Sequence, residues 1–159
     1  MKYIIDPVHG FTPIDGGLIT MLVKHPLFQR LTRIRQLGVE GIVYPGAQHT
    51  RFQHSLGAYH LTRQAVAALE AKGVRLEPKE REGLLAAILL HDVGHGPFSH
   101  VLENVIIPNV SHERISQMVM ERINRELGGA LGEAISIFTD RHPKHFLHEL
   151  ISSQLDMDR

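Results

Sequence analysis

Leu84-Leu85-Ala86-Ala87-Ile88-Leu89-Leu90-His91-Asp92-Val93-Gly94-His95-Gly96-Pro97-Phe98-Ser99-His100 is the stretch that decides how this 159-residue chain folds. Residues 84–90 are all apolar, so a helix built from them has no polar face and must be central and buried. That helix is expected to start near Pro78, since proline suits a first turn, and to end at Gly94-His95-Gly96-Pro97. At its end stand His91 and Asp92. A carboxylate there is costly to bury unless it is paired or metal-bound. Neighbouring helical residues diverge by about 100°, so both reach one ion only if it sits between them near the terminus. Gly94 and Gly96 let the backbone turn and leave room beside His95 and His100. The dipeptide also fits a plainer arrangement, with His91 bonded to a carbonyl and Asp92 capping the next segment.

Outward from this stretch, helical spacing dominates. Ala58, Leu61, Ala65, Ala68 and Leu69 recur at helical intervals over 54–72, and Gly73 supplies a stop. Ser111 is a candidate N-cap for a helix to Leu127, with Ile115, Met118, Val119 and Ile123 inward and Gly128-Gly129 ending it. Shorter helices are expected over 17–24, 26–36 and 131–138, and from Phe146 to the C-terminus. Tyr44-Pro45-Gly46-Ala47 reads as a turn. Near the start, Tyr3-Ile4-Ile5 and residues 11–14 flank Asp6-Pro7-Val8-His9-Gly10, which suits a short hairpin or an irregular entry loop. The chain therefore reads as one all-α domain over 1–159 with a small irregular or hairpin N-terminal segment.

Composition narrows the chemistry. With no Cys, disulfide frameworks, thiolate metal sites and cysteine nucleophiles are excluded. Lys+Arg 17 against Asp+Glu 17 gives a net charge of 0, which argues against a general nucleic-acid footprint while leaving a local basic patch possible. No apolar run reaches membrane-spanning length, so the expectation is a soluble, cytoplasmic protein. The unusual count is 12 His, which points to metal or proton chemistry.

Two further segments carry candidates. Arg51 lies three residues before His54, where a planar guanidinium suits phosphate or, equally, a surface salt bridge. On a helix running from Phe146, Asp158 falls within the apolar stripe of Leu147, Leu150, Ile151 and Leu155, while Asp156 faces away. An inward Asp158 calls for a metal or a partner; a frayed terminus would instead leave both carboxylates solvated.

His54, His91-Asp92 and Asp158, in this order, resemble the H…HD…D metal site of the HD-domain phosphohydrolase superfamily. Phe28-Gln29-Arg30-Leu31, Gln36-Leu37-Gly38, Tyr44-Pro45-Gly46-Ala47, residues 51–57 and His91 to His100 look like its deoxynucleoside-triphosphate triphosphohydrolase branch. The resemblance implies an HD-domain helical bundle in which His54, His91, Asp92 and Asp158 hold one divalent cation (Mn, Fe, Ni, Zn or Mg). Residues 155–159 resemble the branch's D-x-D-[KR], whose second Asp is the ligand. It further implies that Arg51 and Arg159 contact substrate phosphates, and that His95, His100 and His112 line the phosphate site. Glu103 stands where some relatives have Asp, and Gln36 and Leu37 lie where relatives contact base and sugar. Water would attack the α-phosphorus of a nucleotide, with His100 or His112, oriented by Glu103, protonating the departing 5′ oxygen. The alternatives are a phosphodiesterase or phosphomonoesterase of the superfamily, or a non-catalytic regulatory or nucleic-acid-binding module. Members of the branch are longer and homo-oligomeric, so this chain is expected to be the N-terminal part of a longer protein. His9, His25, His49, His60, His142, His145 and His148 read as ordinary polar positions, and Phe98 and Met118 as core.

Overall fold

The computed structural model describes residues 2–97, 110–153 and 157–158. It opens with an antiparallel hairpin, β1 (Lys2–Asp6) and β2 (Gly10–Ile14), with Lys2 opposite Ile14 and Asp6 opposite Gly10. Asp6 closes the turn, its Oδ1 accepting the Val8 and His9 N–H groups at 2.8 and 2.9 Å. Gly10 leaves the turn with a φ of 69°, a left-handed conformation that favours glycine.

Two short helices follow, α1 (Leu18–Lys24) and α2 (Pro26–Gln29). The helix expected over 26–36 is thus cut short: the chain tightens into a 3-10 turn at Arg30–Arg33 and is extended at Ile34. The cause is tertiary. Ile34 is buried, its carbonyl accepts the Arg51 N–H at 2.8 Å, and Arg35 bridges to Thr50. α3 (Arg51–Ala71) begins three residues earlier than its apolar periodicity suggests. Thr50 and Gln53 form a capping box there, each side chain meeting the other's backbone N–H. Its buried face runs through Ser55, Tyr59, Thr62 and Val66, while Ala68, one of the apolar residues at helical spacing, is exposed.

α4 (Pro78–Leu90) starts at a second capping box, Glu77 with Glu80, and Pro78 occupies its first turn. Every residue from Gly83 to Leu90 is buried, and α4 packs against α1, α3 and α6 (Gly132–Phe138). It is the central helix that its apolar run demands. Between them comes α5 (His112–Glu126), capped by Ser111, with Ser116, Met120 and Ile123 inward. Met118 is 55% exposed, contrary to its expected core position, because it lies about 200° around the helix from Ser116. The final helix, α7 (Phe146–Glu149), is a single turn and does not continue to the C-terminus. Among the described residues, no helix is long and apolar enough to cross a membrane.

Candidate metal centre

His91 caps the C-terminus of α4 and is 8% exposed. Its Nδ1–H donates to the Ile88 carbonyl at 2.6 Å, so Nε2 is the ring nitrogen that faces away from the helix. The turn that follows is locked onto α5. The Ser116 hydroxyl donates to the His91 carbonyl at 2.7 Å and accepts the Gly94 N–H at 2.9 Å. Only glycine fits at 94, since a Cβ there would collide with the Ser116 backbone nitrogen and lie 2.5 Å from the His112 carbonyl oxygen.

His54, one turn into α3, brings its Nε2 to 3.3 Å from that of His91. Asp158 completes the group: its Oδ1 lies 2.5 Å from His54 Nε2 and 2.8 Å from His91 Nε2. The three donor atoms are mutually within 4.8 Å. Asp158 reaches this point by a route different from the one its helical spacing suggests. The chain has left α7, and the Met157 N–H donates to the Leu150 carbonyl at 3.1 Å, folding Asp158 back beneath α4 and α3.

Asp92 flanks the group. Its Oδ1 is 3.5 Å from His91 Nε2, and its Oδ2 is 3.8 Å from His54 Nε2. Both oxygens are also engaged from behind, Oδ2 by Arg51 Nη1 at 2.6 Å and Oδ1 by His95 Nε2 at 3.2 Å. Arg51, expected to be either a phosphate contact or a surface ion pair, is therefore a buried partner of Asp92. The His95 ring stacks on His112 at 4.1 Å.

The electrostatics follow from this packing. Burial pushes the His91 imidazole down, but the Asp158 hydrogen bond and the charges of Asp92 and Asp158 outweigh it and hold it at about 9. Burial pushes both carboxyls up, yet each stays well below the usual range. For Asp92 the opposing causes are the His95 hydrogen bond and the charges of His91, His95 and Arg51. For Asp158 they are the hydrogen bonds and charges of His54 and His91. Burial dominates at His95 and lowers it. Carboxylates held ionised beside inward-facing imidazole nitrogens make a mixed nitrogen and oxygen donor set. That set fits a divalent cation of the Mn, Fe, Ni or Zn type better than an oxygen-only Ca²⁺ cage.

Two cavities flank the cluster, and Asp158 lines both. One of about 470 Å³ is walled by His91, Asp92 and His112 and continues to Arg114, Arg141 and His148. The other, of about 230 Å³, is walled by His54, Gln36, His49 and His9, with Gln36 Oε1 2.6 Å from His49 Nε2. Of the expected substrate contacts, Gln36 lies on a cavity wall and Leu37 is 39% exposed. Of the expected phosphate-site histidines, His112 lines the larger cavity and His95 is buried against Asp92. His100, Glu103 and Arg159, together with Phe98, lie outside the described residues. Sequence reasoning missed His49 and His148, and no spacing signal distinguishes them from the other histidines. It also missed Ser116, which sits on an amphipathic face whose inward side a closer count at 100° per residue would have found.

Comparison with known proteins agrees with this geometry. A family model described as the HD domain matches residues 51–157. The Bacillus subtilis protein YwfO, itself uncharacterized, is 37% identical over 99% of this chain and 38% of its own length. Human deoxynucleoside triphosphate triphosphohydrolase SAMHD1 is 42% identical over 77% of this chain and 21% of its own. The crystal structure of a phosphohydrolase from Bacteroides thetaiotaomicron superposes with a TM-score of 0.97 at 60% identity, covering 100% of this chain and 40% of that one. The chain thus spans about two fifths or less of these relatives. The family match runs from Arg51, at the start of the helix that carries His54, to the residue before Asp158, and the chain belongs to the HD-domain family.

Proposed function

We propose that this chain carries the metal centre and part of the substrate pocket of a nucleotide phosphohydrolase. Its favoured reaction is hydrolysis of deoxynucleoside triphosphates to deoxynucleoside and inorganic triphosphate. The observation that carries this reading is the convergence of His54, His91 and Asp158 from three separate parts of the chain. The similarity to SAMHD1, which is a deoxynucleoside triphosphate triphosphohydrolase, supports the choice of substrate.

His54, His91, Asp92 and Asp158 would hold one divalent cation, Mn, Fe, Ni, Zn or Mg. When bound, the cation supplies positive charge to the phosphoryl oxygens and makes a water more acidic. The chain's own groups do the rest. The Ile88 carbonyl holds His91 in the tautomer that offers Nε2. Arg51 and His95 hold the Asp92 carboxylate ionised and fixed in orientation. Water adds to the α-phosphorus, the bond to the 5′ oxygen breaks, and that oxygen takes a proton. His112, on the wall of the larger cavity, is the described residue suited to supply it; the family resemblance adds His100, with Glu103 to orient it. Gln36 faces the nucleoside from the smaller cavity. Leu37, Arg159 and Arg51 complete the substrate contacts by resemblance, Arg51 holding Asp92 through Nη1 and keeping further N–H donors.

Metal analysis and a deoxynucleotide panel with product identification, run on the chain and on His91→Ala, test the proposal. Bound divalent metal and release of inorganic triphosphate, both lost in the variant, are expected. Unchanged hydrolysis by His91→Ala removes the mechanism, and release of orthophosphate from deoxynucleoside monophosphates, with no triphosphate released from the triphosphates, assigns a phosphomonoesterase.

A further inference from the structure

The larger cavity extends beyond the cluster to a wall that the reading above leaves without a role. His148 is on that wall, in α7, and like His91 it sets its Nδ1 against a backbone carbonyl. Its Nδ1 lies 3.1 Å from the Ile137 carbonyl oxygen. A carbonyl only accepts, so the proton sits on Nδ1 and Nε2 is the ring's remaining polar atom. Arg114 and Arg141 line the same cavity as His148. Two carboxylates also border it, Glu113 and Asp140, and Asp140 is already engaged by His145 at 2.9 Å. The lining therefore sets His91, Asp92 and Asp158 of the cluster in one cavity with His112, Arg114, Arg141 and His148, alongside Glu113 and Asp140. An anion longer than a single phosphate suits this layout, with one end at the cluster and the other at the far wall.

We infer that His148 is a substrate-binding residue for the phosphate chain, its Nε2 meeting an oxygen of the departing triphosphate. This rests on the function proposed above. As an imidazolium His148 donates from both nitrogens, Nδ1 to the Ile137 carbonyl and Nε2 to a phosphate oxygen. A charge-assisted bond of this kind is worth roughly tenfold or more in affinity.

Inorganic triphosphate is the probe, titrated with Mn²⁺ into the chain by calorimetry, so that no turnover is needed. Asn in place of His148 retains a donor where Nδ1 sits and removes Nε2; Gln instead places an amide where Nε2 sits. His148→Asn is expected to keep the wild-type melting temperature and metal content and to bind triphosphate roughly tenfold more weakly. His148→Gln is expected to recover part of that loss, and orthophosphate binding to change little in either variant. Wild-type triphosphate affinity in His148→Asn overturns the inference. So does an equal loss of orthophosphate binding, which marks general damage to the site. Triphosphate binding that depends on His148 without any deoxynucleotide hydrolysis refutes the proposed reaction while leaving this contact standing.

Discussion

Replacing Ser116 with Ala probes the link between the α5 helix and the metal-binding turn. Ser116 is 0% exposed and ties two backbone groups, the His91 carbonyl at 2.7 Å and the Gly94 N–H at 2.9 Å. The methyl group of Ala satisfies neither, and the close approach at Gly94 leaves no space for a water to replace the hydroxyl. Each orphaned buried group costs about 1–3 kcal/mol, so the pair costs on the order of 2–6 kcal/mol. For a chain of this size each kcal/mol moves Tm by about 2–4 °C, giving a drop of roughly 4–24 °C in a thermal melt. Because the freed carbonyl belongs to His91, metal affinity should also fall by roughly tenfold in a chelator competition, the usual effect of losing a supporting bond. Met118→Ala, on the exposed side of the same helix, is the control and should lie within about 0.5 kcal/mol of the parent. A Ser116→Ala melt within 2 °C of the parent, with unchanged metal affinity, would refute this account of how the turn is held.

Arg51→Ala leaves the buried Asp92 carboxylate short of its closest cationic partner and should cost about 3–5 kcal/mol in urea unfolding, with Asp92→Asn on that background recovering part of it. His91→Ala and Asp158→Ala should each abolish stoichiometric divalent metal in elemental analysis while the α-helical circular dichroism persists; retained metal in either would remove that residue from the ligand set. In metal-free protein the raised His91 value contributes stability that is complete below 6.5 and lost as pH rises through about 9. Asp92 and Asp158, held low, contribute stability that is present above the ordinary carboxylate value of 3.8 and lost as pH falls below it. Melts in chelator should therefore decline on both sides of neutrality, and a Tm that stays flat between about pH 7 and 10 would contradict the His91 environment described here.

The parts of the fold legible in the sequence share one property: a short window holds all the information they need. The run 84–90 has no polar face, so it had to become the buried centre wherever the other helices lay. Pro78 and Ser111 mark the starts of α4 and α5 because a first-turn proline and an N-cap act within one turn. Where a window misled, a distant contact had won. Helical preference over 26–36 yields to the Ile34 and Arg35 pairing with residues around Thr50. Met118 is apolar but lies on the wrong side of α5, and its exposure follows from where α5 rests on the 91–94 turn. The helical spacing that points Asp158 inward belongs to a helix that ends at Glu149, and Asp158 sits at the cluster next to a Met157 N–H bonded to the Leu150 carbonyl.

By itself, the order of residues determined an all-α core built on one apolar helix, a histidine and a carboxylate at that helix's end, and the glycine that lets α5 close over them. Convergence was decided only by the tertiary structure. His54, His91 and Asp158 are separated by 37 and 67 positions, and their meeting depends on burial summed over the whole core. The same holds for the buried placement of Arg51 behind Asp92 and for His148 on the far wall of the cavity. Local propensity acts over a few residues, whereas the position of a side chain in a site is set by every contact that packs its element, so no short stretch could encode it.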